Sequence, residues 1–123
     1  LKNKEYEKAK EAFLKIIADY PQDIYAARSY IHLGNIHLHL KNFTEAEKAF
    51  SEALMNKLEV LHMVETRLGL AEAYSQLGKD AECCQQVKIL QKEVLEEDQK
   101  NRLKAVVGKV DCQKVVQSKP SQD

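Results

Sequence analysis

Shifted against itself by 37 residues, this chain of 123 lays like on like along most of its length. Leu33-Gly34 falls on Leu70-Ala71 and then on Val107-Gly108. Ala9, Ala46 and Cys83 share one register, Phe13, Phe50 and Val87 a second, and Ile16, Ala53 and Leu90 a third. Tyr6 matches Phe43, although Asp80 breaks that register. Several small or apolar registers holding one period indicate stacked units, each too small to bury its own apolar face alone.

Within a unit the spacing is helical. Leu33 and His37 lie one turn apart beside a side-chain-free notch at Gly34, and Ala46, Phe50 and Ala53 fall on one stripe. Gly34 and Ala46 let two antiparallel helices approach, and Phe50 fills the space that remains. The alternation in IHLGNIHLHL would also suit a strand, but its twin one period on, at 68–77, reads as helix. The spacing therefore predicts an all-α chain of about six helices, near 3–19, 24–40, 43–57, 60–77, 81–95 and 97–110, the last ending at Val110 or running on to Val116. Pro21 ends the first and Asp23 caps the second. Asn42 with Glu45 makes a capping box, Gly78 stops helix four, and Asp80 caps helix five with Val94 facing inward. Neither Gly nor Pro separates the last two helices, so they read either as two or as one of about 27 residues. Leu103, Val106, Val107 and Val110 are expected to cover the last pair.

The pattern of Tyr30, Leu33, Gly34, Ala46, Phe50 and Ala53 resembles the tetratricopeptide repeat, with His37 where that family usually has Tyr and a period longer than the usual 34 or so. Leu70, Ala71, Tyr74, Leu77 and Gly78 carry the likeness onward, and Pro21 matches the family's closing proline, which Leu58 and Leu95 do not repeat. The resemblance implies a right-handed superhelix, an α-solenoid of antiparallel helix pairs. Residues 1–22 form a half repeat, 23–59 and 60–96 full repeats, 97–117 a capping helix and 118–123 a disordered tail. In that register the first helix is the second of a pair, so the chain is expected to be cut from a longer protein.

In this family the first helix of each pair lines the concave face. That implies a peptide-binding groove of Arg28, Ile31, Asn35, Leu38, Glu65, Leu68 and Glu72, with Ser75, Arg102, Ala105, Lys109 and Cys112 further along. Arg28, Glu65 and Arg102 alternate in sign, and Glu72 faces Lys109, so such rows satisfy one another or a mixed-charge partner. The family's clamp for heat-shock chaperone C-termini is matched by Asn35, and Arg102 can stand for one of its lysines, but it needs Lys, Asn and Arg side chains where this chain has Ile31, Gly69 and Val106, so no such clamp is expected.

Other chemistry finds little support. Nineteen basic and nineteen acidic residues give no net charge, which argues against a nucleic-acid partner. No apolar run approaches the roughly 18 residues of a membrane span, so no membrane association is expected. Of His32, His37, His39 and His62, His37 and His39 point some 200° apart on a helix, which leaves no metal site in view. Three cysteines, two of them adjacent, argue against a disulfide framework and for a reducing, cytoplasmic-type compartment. Cys83 stands where other units have Ala and reads as a small buried residue, Cys84 as a more exposed one. No loop offers a base and an oxyanion donor to either thiol. The leading expectation is a non-enzymatic adaptor or scaffold, without cofactor, that binds a peptide or helix of a partner protein. A second is a structural segment, part of a larger complex or self-associating through its end helices. A third likeness, to the repeats of bacterial envelope lipoproteins, is opposed by Cys83, Cys84 and the missing later prolines.

Overall fold

A computed structural model describes residues 3–56 and 58–112. Among these the chain forms six α-helices and no strand: α1 (Asn3–Asp19), α2 (Ile24–His39), α3 (Phe43–Met55), α4 (Val60–Gln76), α5 (Asp80–Leu90) and α6 (Glu97–Lys109). Connections of three to six residues leave each helix little choice but to fold back on the one before it. α1 packs on α2, α2 on α3, α3 on α4 and α4 on α5, while α2, α4 and α6 lie side by side. The expected tail, and the expected extension of the last helix past Cys112, lie outside the described residues.

Local signals explain most boundaries. The Asp23 carboxylate accepts from the Tyr25 amide at the start of α2. Gly78 takes a left-handed φ of 73° after α4, and Lys41, one period earlier, takes 61° after α2. Three expectations are corrected. Asn42 precedes α3 but makes no cap hydrogen bond; its amide lies 3.5 Å from His37 Nδ1 instead. Asp80 is the first residue of α5 rather than its cap. α5 ends at Leu90, not near Leu95, and Val94 is 99% exposed.

The α5–α6 break has a physical cause. Leu90 and Leu103 belong to one core cluster, yet in a continuous helix they would stand about 20 Å apart along its axis. The chain therefore turns at 91–96. It restarts with a reciprocal capping box, in which the Glu96 amide donates to Gln99 Oε1 at 2.9 Å and the Glu96 side chain accepts from the Gln99 backbone.

The core runs in two connected parts. Ile31, Ala46, Ala53, Leu70 and Ala73 cluster with Phe50 between α2, α3 and α4. Leu68, Ala71, Cys83, Val87, Leu90, Leu103, Val106 and Val110 join α4, α5 and α6. Outer faces of the array are less complete. Phe13, one period before the fully buried Phe50, is half-buried and stacks on His32 with centroids 4.8 Å apart. Val107, expected inward, is 40% exposed because no described helix packs beyond α6.

Candidate peptide-binding groove

α2, α4 and α6 start from the same edge and run side by side, so side chains one period apart form rows across them. Between these helices lies an open cavity of about 550 Å³. Its walls include Asn35 and Leu38 from α2, Glu65, Glu72 and Ser75 from α4, and Arg102, Ala105 and Lys109 from α6. Lys41 and Phe43 close the end nearest the α2–α3 turn.

Of the seven residues expected to line the groove, the structure brings four to this cavity: Asn35, Leu38, Glu65 and Glu72. The other three are placed differently. Leu68 has no exposed surface and Ile31 only 7%. Both side chains belong to the core beneath the groove, so the expected apolar floor at these positions is corrected. Arg28 is committed elsewhere. Its guanidinium donates to Glu59 Oε1 at the start of α4, with Nε at 3.1 Å, rather than to Glu65 one turn and a half further on.

Arg102 organises the groove electrostatically. Its Nη2 and Nε donate to the two Glu72 oxygens at 2.6 and 3.1 Å, and its Nη1 donates to Glu65 Oε1 at 2.6 Å. The planar guanidinium fits a carboxylate two-pronged, which Lys cannot do. Hydrogen bonding to Glu72, then to Glu65, raises the Arg102 pKa against the opposing effect of burial, so the charge is permanent. Gln99 adds a longer contact to Glu65 at 3.5 Å. The expected pairing of Glu72 with Lys109 is therefore replaced by Glu72 with Arg102, and Lys109 and Lys41 line the cavity without a described ion-pair partner.

The cysteines depart most from expectation. Cys84 on α5 and Cys112, three residues beyond α6, form a disulfide with their Cα atoms 5.5 Å apart. The expectation of three free thiols is corrected, and with it the cysteine argument for a reducing compartment. The bond ties down the helix that supplies one wall of the groove. A count of three cysteines could not reveal it, because the fold alone brings positions 84 and 112 together. Cys83 is fully buried and donates to the Ala71 carbonyl at 3.4 Å. Burial pushes its thiol up to about 11, so it stays protonated at neutral pH.

Histidines are engaged in packing. His32 lies on Phe13, His39 meets Tyr6 edge-on at 5.9 Å, and His37 sits beside Asn42. Burial is the main cause that lowers the pKa of both His32 and His37. Among the described residues no three His, Cys, Asp or Glu side chains converge as a metal site would require, and no helix is long and apolar enough to cross a membrane.

Comparison with known proteins agrees with this geometry. The family model of the tetratricopeptide repeat matches residues 27–56. No curated protein and no solved structure matches the chain. The hairpin from α2 through α3 is thus similar to a tetratricopeptide repeat and lies in an all-α array of successive antiparallel helices.

Proposed function

We propose that this chain is a non-enzymatic interaction module whose groove between α2, α4 and α6 holds a peptide or helix of a partner protein. The tetratricopeptide repeat supports a protein–protein interaction module in general. The groove reading rests on the cavity of about 550 Å³ beside Asn35, Ser75, Lys41 and Lys109, whose polar groups are not consumed by the Arg102 network. Asn35 and Ser75 offer hydrogen bonds to an extended or helical backbone. Leu38 and Ala105 offer apolar contact, and the two lysines favour a partner with carboxylates between its apolar side chains. Glu65 and Glu72 act through Arg102 rather than by direct contact. Arg28, Ile31 and Leu68 shape the wall from behind. The heat-shock clamp stays outside this reading, because Ile31, Gly69 and Val106 supply no side-chain donors and are buried.

The test is site-specific photo-crosslinking in a lysate, with a benzophenone side chain placed at Ala105 in the groove or at Lys48 on the exposed face of α3. The groove reading expects protein adducts from position 105 that are absent at 48. Adducts of equal yield at both positions would count against it. A second reading, stacking of the chain through its ends, is favoured by Leu14, which is 54% exposed on α1 next to the half-buried Phe13. It expects a solution mass above 14.1 kDa that rises with concentration.

A further inference from the structure

Nine large apolar side chains stand exposed among the described residues, and six of them, Tyr20, Tyr25, Met55, Val60, Leu61 and Val94, occupy one edge of the array. This is the edge where α1, α3 and α5 end and α2, α4 and α6 begin. Cross-links between helices keep the three starts side by side: Arg28 of α2 holds Glu59 ahead of α4, and Gln99 and Arg102 of α6 hold Glu65 of α4. At its centre Met55, at the end of α3, and Val60 and Leu61, at the start of α4, are 81%, 82% and 81% exposed. None of the three covers anything in the fold. The opposite edge, at turns 40–42 and 77–79, has no exposed large apolar side chain.

The edge carries an excess of acid: Asp19 and Asp23 stand beside the tyrosines, and Glu93, Glu96, Glu97 and Asp98 flank Val94, against Lys92 in the same turn and Lys100, which pairs with Glu97 at 3.9 Å. Carboxylates at helix starts are accounted for by capping and by the helix dipole, as with Asp23 and Glu96. Asp19 and Glu93 are not. Asp19 is the last residue of α1 and Glu93 follows the end of α5, where the dipole disfavours an anion. The opposite edge sets Lys41, Lys79 and Lys109 against Glu45, Asp80 and Glu82 and is close to balance.

We propose that this edge is a second docking surface, separate from the groove, for a basic amphipathic helix of a partner protein. Its apolar side chains pack on Met55, Val60 and Leu61, and its Lys or Arg side chains meet Asp19 on one flank and Glu93 on the other. Charge complementarity selects this occupant. An anionic lipid surface or a nucleic acid would meet like charge, and a second copy of the chain offers a near-neutral opposite edge whose described turns carry no exposed large apolar side chain.

The probe is a fluorescein-labelled helical peptide of Leu and Lys, about 18 residues long with Leu on one face, and its twin with Glu in place of Lys. Binding is read by fluorescence anisotropy. The Leu/Lys peptide is expected to bind about tenfold or more tightly than the Leu/Glu peptide and to weaken with added salt. Val60→Ser with Leu61→Ser should cost roughly fivefold or more in affinity, and Asp19→Asn with Glu93→Gln a comparable loss. All four side chains are exposed, so these variants keep the wild-type helical spectrum. Ala105→Trp, which fills the groove, should leave the peptide's affinity unchanged, so failure here and failure of the groove reading are told apart. Equal affinity for the two peptides, absence of binding, or loss of binding in Ala105→Trp would overturn the proposal. So would a concentration-dependent mass abolished by Val60→Ser and Leu61→Ser, which would assign the edge to a second copy. Sedimentation with phosphatidylserine vesicles lost in the same variant would assign it to a membrane and likewise overturn it.

Discussion

The ring of Phe50 lies against the bare backbone of Gly69, where an added Cβ would come within 2.5 Å of Phe50 Cζ. On its other side the ring meets Gly34 as closely, at 2.6 Å from a Cβ placed there. One aromatic side chain on α3 is thus gripped by two glycines, on the helix before it and the helix after it.

That arrangement predicts a coupled response to substitution. Gly34→Ala or Gly69→Ala should destabilise by about 1–3 kcal/mol, because a fully buried ring has nowhere to move. In a Phe50→Leu background, where the side chain is smaller, the cost of Gly69→Ala should fall well below its cost alone. Urea unfolding of the four variants as a double-mutant cycle checks this, and additive costs would contradict it.

Lys41 and Gly78 are one period apart, and both take the left-handed conformation that ends a helix. A Cβ is disfavoured there. Lys41→Gly should therefore stabilise the chain, by up to about 1 kcal/mol, and Gly78→Ala should destabilise it by about as much. Gly78 has no neighbour within 4 Å of an added Cβ, so its effect comes from the backbone alone. Thermal melts of both variants read the opposite signs.

Arg102 serves Glu65 and Glu72 at once. Arg102→Ala should cost on the order of 1–2 kcal/mol, since the groups are partly exposed but act as a network. Arg102→Lys should restore less than half of that, because an ammonium cannot grip Glu72 two-pronged. Denaturant midpoints at low and high salt should converge for the alanine variant relative to wild type.

The Cys84–Cys112 bond closes a loop across a sequence separation of 28. By the loop-entropy estimate its loss should cost about 3–4 kcal/mol. Amide exchange should show where. A reduced chain, or one with both cysteines replaced by serine, should exchange faster in α6 while α2 and α3 stay protected. Uniform acceleration along the chain would mean that α6 is not a separable unit.

His32 and His37 both have pKa values lowered from 6.5, mainly by burial, with His62 acting further on His32 and Lys10 on His37. A base that is harder to protonate when folded leaves the unfolded chain binding more protons. The resulting stability is complete above about pH 6.5 and is lost as pH falls through that value toward the folded pKa values. Melting temperature should drop between about pH 7.5 and 5, and His32→Gln should flatten the drop.

How much of this the sequence disclosed differs by feature. The 37-residue period located the helices, because buried positions recur with it: Ile36, Ala73 and Val110 are all buried in register. The same period placed Lys41 opposite Gly78, a usable sign of a left-handed turn. The second glycine facing Phe50 lay in plain view but off the repeat register, since Gly69 falls opposite His32. The break between α5 and α6 has no Gly or Pro to mark it and follows from the need to bring Leu90 and Leu103 into one core. In the groove, the family register picked out Asn35, Leu38, Glu65 and Glu72. It misjudged Leu68 and Ile31, because a helix face near the contact line between neighbours turns inward when they close upon it. Pairings such as Arg28 with Glu59 and Arg102 with Glu72 depend on which long side chain reaches first, which spacing alone does not decide.

The central claim, that the groove between α2, α4 and α6 holds a partner, is tested most directly by capture from a lysate with wild-type chain and with Ala105→Trp. Ala105 is exposed on the cavity wall, so the indole fills the groove and leaves the core untouched. The account predicts at least one protein retained by the wild type and lost with Ala105→Trp, while Val60→Ser with Leu61→Ser still retains it. Capture of the same proteins in equal amount by wild type and Ala105→Trp would contradict it.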